Sequence, residues 1–159
     1  MKTAVVYYSF DGNCALVAEQ IKAILNADLI RLQTKDEKKR GGFAKYFWGG
    51  AQVVMRKKPA LKPYDFDAAA YDLIIIGAPV WAGSPAPPLE TFLSAAKISG
   101  KKLALFLCHA GGRGKAMDKL KLLLAGNTIA AETDFINPAG NTGELKRKVE
   151  EWLKPLARE

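Results

Sequence analysis

The chain has 159 residues, with 24 Lys and Arg against 16 Asp and Glu for a formal charge of +8, and is 49% hydrophobic and 25% charged. That balance excludes a disordered chain, and the length suits one compact domain that buries a core without staples. Cys14 and Cys108 are the only cysteines, too few for a disulfide framework or a cysteine zinc site. The apolar start is brief and meets Asp11 and Gly12, so it reads as neither a signal peptide nor a membrane span, and a cytoplasmic location is the expectation.

Ala4 to Tyr8 is a continuous apolar run rich in β-formers, as in a strand covered on both faces. A turn, Ser9 to Asn13, precedes a helix whose Leu16, Val17, Ile21, Ile24 and Leu25 share one face, ending near Asn26. Leu29 to Leu32 reads as a second strand. Residues 35–62 then hold nine Lys and Arg against two acids, leaving 15 basic and 14 acidic side chains elsewhere. The charge therefore belongs to one insertion in a nearly neutral domain.

Leu73 to Gly77 is the clearest buried strand. Pro79 to Pro88 reads as a loop, with Pro87 and Pro88 opening a helix that buries Leu89, Phe92 and Leu93. Leu103 to Leu107 is a fourth strand, followed by a Gly-rich loop and a helix through Met117, Leu120, Leu123 and Leu124. Thr128 to Ile136 is a weaker fifth strand. A last helix from about Gly143 buries Leu145, Val149, Trp152 and Leu153. Strands alternating with amphipathic helices predict one α/β domain, a doubly wound parallel sheet of five strands with the basic insertion between strands 2 and 3.

In such sheets a ligand sits at the carboxyl ends of the strands, where the winding reverses. Three loops, 9–14, 78–88 and 109–115, belong there. The first joins a buried strand to a helix start, whose outward N–H groups and dipole suit a phosphate. Ser9 adds a hydroxyl, Asn13 an amide donor, and Gly12 close backbone approach. Simple capping by Asp11 or Asn13 is the other open reading. A Walker A loop is absent because Gly114-Lys115 is followed by Ala116, and a dinucleotide fingerprint is absent because only Gly12 follows the first strand. In the second loop, Trp81 offers a flat face suited to stacking on a planar ring, a lid over the core being the other reading. In the third, Gly-rich backbone can line a flat heterocycle while His109 and Arg113 supply positive charge.

A phosphate seat, an aromatic platform and a Gly-rich edge are what a flavin mononucleotide needs. The stretches Val5–Ile21, Tyr71–Leu93 and Lys101–Leu124 resemble the flavodoxins, and more closely their short-chain, flavodoxin-like relatives, over nearly the whole chain outside the basic segment. The resemblance implies strand order 2-1-3-4-5 and non-covalent FMN. It puts the phosphate on Ser9, Phe10, Gly12, Asn13 and Cys14. The isoalloxazine falls between the loops holding Pro79, Val80, Trp81, Ala82 and Gly83 and His109, Ala110, Gly111, Gly112, Arg113 and Gly114. Those relatives usually read Ser/Thr-x-Thr-Gly-Asn-Thr in the phosphate loop, so Asp11 and Cys14 stand here for two hydroxyl donors. Asp11 is expected to point away or cap the helix, and the helix terminus to lower the Cys14 pKa.

The expected function is electron transfer between redox partner proteins, with His109 and Arg113 making the potential less negative than in acidic flavodoxins. Alternatives are an FMN-dependent NAD(P)H:quinone or azo reductase, a flavin-free interaction module, and a nucleic-acid binder, for which no motif is visible. Phe43, Tyr46, Phe47, Ala51, Val54 and Met55 keep helical spacing in the basic segment. Its expected role is to cover the sheet edge near the flavin and to dock an acidic partner.

Overall fold

A computed structural model of the protein describes residues 1–35 and 59–158. The chain runs β1 (Thr3–Tyr8), α1 (Asn13–Leu25), β2 (Asp28–Leu32), β3 (Leu73–Trp81), β4 (Ser84–Pro85), α2 (Pro87–Ala96), β5 (Lys102–His109), α3 (Ala116–Leu123), β6 (Thr128–Ile136) and α4 (Thr142–Ala157). Five strands are parallel, in the order β2-β1-β3-β5-β6, and β4 pairs with β3 alone, antiparallel.

Every residue of β1 is buried, because side chains alternate between two covered faces. Ala4, Val6 and Tyr8 join Ile74, Ile76, Leu103 and Leu105 beneath α2 and α3, which contribute Leu89, Phe92, Met117 and Leu120. Val5 and Tyr7 join Leu73, Ile75, Ala104 and Phe106 beneath α1 and α4, which contribute Val17, Ile21, Val149 and Leu153. The sheet is therefore doubly wound. The chain leaves β1 through α1 toward β2 and leaves β3 through α2 toward β5, so the winding reverses between β1 and β3.

The sheet differs from the expected five-strand, 2-1-3-4-5 arrangement by one hairpin. β3 does not stop at Gly77 but continues to Trp81, turns over Ala82 and Gly83, and pairs Trp81 with Ser84. Both central residues have positive φ, 49° and 71°, as a two-residue type I′ hairpin requires. The supposed loop is thus half strand. Leu16 also departs from expectation. It lies on the outer side of α1, which buries Cys14, Val17, Ala18 and Ile21 instead.

Residues 36–58, the bulk of the predicted basic insertion, lie outside the described residues, and with them the helical spacing from Phe43 to Met55. The stems of that segment are described. Thr34 bridges Leu61 antiparallel, the Lys35 N–H donates to the Ala60 carbonyl at 3.0 Å, and the Lys62 N–H donates to the Gln33 carbonyl at 2.7 Å. The segment thus leaves and returns just beyond the carboxyl end of β2.

Candidate functional site

At the carboxyl ends of β1, β3 and β5 lies a cleft of about 200 Å³, bounded by Asp11, Asn13, Pro79, Val80, Trp81, Cys108, His109, Ala110 and Asn137. It draws residues from all three predicted loops, at the point where the winding reverses. Of the predicted site residues, Asn13, Pro79, Val80, Trp81, His109 and Ala110 bound it, and the others do not line it.

In the first loop, the turn that starts α1 is tied by its own side chains. The Ala15 N–H donates to Ser9 Oγ at 3.2 Å, and the Asn13 N–H donates to Asp11 Oδ1 at 3.1 Å. Gly12 occupies the cap position at φ 97° and brings no capping side chain, and nothing lies within 4 Å of where its Cβ would be. Phe10 is buried and its ring packs on Trp81, so its backbone alone can serve a ligand. Asn13 lines the cleft and ties it to the turn after β6: its Oδ1 accepts the Ala139 N–H at 3.0 Å. Arg31 of β2 donates to the Ser9 carbonyl at 3.3 Å, bringing a cation to this loop that the sequence pattern did not single out.

One expectation about this loop is met and one is corrected. Asp11 bonds the helix start, as expected of a cap, and it also lines the cleft. Cys14 is 1% exposed and lies beside Cys108. Burial pushes its thiol well above the ordinary range, the neighbouring Cys108 thiol adds to this, and the helix terminus does not prevail. Its side chain belongs to the core and offers a phosphate nothing.

Trp81 is a second correction. The residue is 8% exposed, and its ring meets Tyr8 and Phe10 edge-on, each at 5.7 Å between centroids. The hairpin is the cause: β3 runs on to Trp81, which pairs with Ser84, and the ring is held in the same cluster as Tyr8 and Phe10. It forms a wall of the cleft and a lid on the core, not an exposed platform. Beyond it, a Cβ on Gly114 would come within 3.6 Å of the Gly83 Cα. The hairpin tip therefore meets the Gly-rich loop. Ala82, Gly83, Gly111, Gly112, Arg113 and Gly114 lie outside the cleft lining, which opens instead between Pro79–Trp81 and Cys108–Ala110.

His109 is not a surface residue. Its side chain is 6% exposed, and Nε2 lies 2.6 Å from Asp134 Oδ2. Arg113 reaches the other oxygen of the same carboxylate at 3.5 Å. Lys148 of α4 donates to the Asp134 main-chain carbonyl. His109 Nδ1 is buried and has no hydrogen-bond partner. Sequence reasoning missed Asp134. The signal was the period-2 pattern: in β6, Glu132 and Asp134 share the face that β5 gives to Leu105, Leu107 and His109. Asn137, whose N–H donates to the His109 carbonyl at 2.9 Å, was also missed. Among the described residues no cluster of three or more His, Cys, Asp or Glu suits a metal, and no helix is long and apolar enough to cross a membrane.

A family model described as flavodoxin matches residues 2–153. A flavoprotein from Lactobacillus acidophilus, solved in complex with FMN, is 25% identical over 96% of this chain and 99% of its own, with a TM-score of 0.75. A Bacteroides eggerthii protein assigned to the flavoproteins is 20% identical over 98% of each chain, with a TM-score of 0.79. The two-electron reduced flavodoxin of Megasphaera elsdenii is 21% identical over 94% of this chain and 98% of its own, with a TM-score of 0.55. No curated protein matches the sequence significantly.

Proposed function

This chain belongs to the flavodoxin family, and from that premise we propose that it holds one FMN non-covalently in the cleft and carries electrons between partner proteins. The observation that carries the reading is the cleft itself, at the winding reversal and beside a helix start that has only Gly12 at its cap. The residues present fit the group. Space is open at Gly12, Gly111 and Gly112, where no atom lies within 4 Å of a Cβ position, so a ligand can approach the backbone closely there. Asn13, Gly12 and the Ser9 turn would hold the phosphate, and Arg31 adds positive charge nearby. The walls at Val80–Trp81 and His109–Ala110 would enclose the ring. A buried nitrogen without a partner, His109 Nδ1, also calls for a ligand.

Bound FMN supplies one- and two-electron chemistry, and the protein's part is to place it, tune it and expose an edge. Arg113 stabilises negative charge in the cleft while Asp134 opposes it, so the balance of these two helps set the potential. The carrier has no second nucleotide motif and therefore needs a separate reductase. The FMN-dependent NAD(P)H reductase is the competing reading. Steady-state assays separate them: the loaded protein should not oxidise NADPH unaided but should pass electrons when a reductase is added. Unaided turnover with a quinone acceptor would replace the carrier with an enzyme.

A further inference from the structure

We propose that His109 and Asp134 form a proton-accepting dyad in the cleft wall: Asp134 holds the Nε2–H, and Nδ1 takes up a proton from solvent when negative charge enters the cleft. The proposal rests on the FMN reading above. Its basis is geometric. The Nε2–carboxylate contact is 2.6 Å, which commits that nitrogen to donating. The ring's other nitrogen is buried and unpartnered, on a residue that bounds the cleft. A buried polar atom left without a partner costs free energy, so its presence in the cleft wall calls for an explanation.

The surrounding charges set the response. Asp134 of β6 and Arg113 of the loop after β5 offset each other, and Lys148 of α4 sits on the Asp134 carbonyl oxygen. Asp11 faces in from the first loop, while Cys108 is the adjacent cleft residue. With Arg113 balanced by Asp134, the cluster carries a net positive charge only when the ring takes a second proton. Negative charge in the cleft favours that form. Asp134 acts here as a positioning residue, fixing which nitrogen is left to accept.

The balance is simple. When an external reductant such as dithionite delivers an electron pair to bound FMN, one proton accompanies it onto the flavin N5. A second proton passes from solvent to Nδ1, and none leaves Asp134. The reading is proton stoichiometry, taken from the midpoint potential of the FMN-loaded protein against pH. At neutral pH the slope should correspond to about two protons per electron pair. In His109→Gln it should fall to about one, and in Asp134→Asn, which removes the carboxylate that holds Nε2–H, it should also fall toward one. A one-proton slope throughout, or no change in His109→Gln, overturns the dyad while leaving FMN binding intact. Absence of FMN binding overturns both, since the driving charge then has no source. Nitrogen-15 NMR of the wild type decides the matter should His109→Gln fail to fold. Nδ1 should change from a lone-pair to an N–H signal on reduction, and an unchanged signal rejects the proposal.

Discussion

Asp11 brings a carboxylate to the cleft where the resemblance leads one to expect a threonine hydroxyl. It bonds the Asn13 N–H, so it stabilises the helix start, yet it repels a phosphate. Asp11→Asn keeps the acceptor and removes the charge. Because the site is exposed, FMN should bind roughly threefold tighter, checked by quenching of flavin fluorescence. Cys14 behaves oppositely to its sequence reading. A thiol pKa raised by burial means the folded state holds a proton that the unfolded chain gives up as pH rises through the ordinary thiol range, so its contribution to stability is lost on the alkaline side. Cys14 should resist alkylation at pH 8 in the native protein and react fully in denaturant, as mass spectrometry would register. The sequence placed Cys14 correctly at the helix start. It did not reveal that Cys14 meets Cys108 across the α1 face of the sheet, a contact between residues far apart in the chain.

At the scale of elements, the β3–β4 hairpin shapes the site. Its Ala82-Gly83 turn went unread because Ala at positive φ is no turn signal, although the positions demand one. Ala82→Asn should relieve that backbone and stabilise the fold by about 1 kcal/mol, visible as a higher Tm. Gly77 has a different reason for being glycine. A Cβ there would sit 2.0 Å from Phe106 Cζ, on the strand paired with it. Gly77→Ala should cost about 2–3 kcal/mol and lower Tm by roughly 5–10 °C in calorimetry. The long strands and helices were legible because their apolar periods are long. The hairpin was not, since two residues of β4 carry no period, and so the inward turn of Trp81 was misread with it.

For the molecule as a whole, the order β2-β1-β3-β5-β6 gathers three loops, distant in sequence, into one cleft, which was foreseeable from element order alone. The Asp134 contact was not, because it needs the register between β5 and β6, shifted by an irregularity at Leu103/Ala104. The concentrated charge of residues 35–62 is anchored by its stems beyond the carboxyl end of β2, the same end of the sheet as the cleft. If an acidic redox partner docks there, electron-transfer rates should fall as ionic strength rises, in stopped-flow mixing across a salt series. Rates indifferent to salt would remove the docking role. The central claim is that the cleft holds FMN, and the most direct measurement is flavin released per chain from protein reconstituted with FMN and freed of excess. A stoichiometry near one FMN per chain, lost on acid precipitation and restored by adding FMN, is the predicted result. A colourless protein that retains no FMN after reconstitution would contradict it.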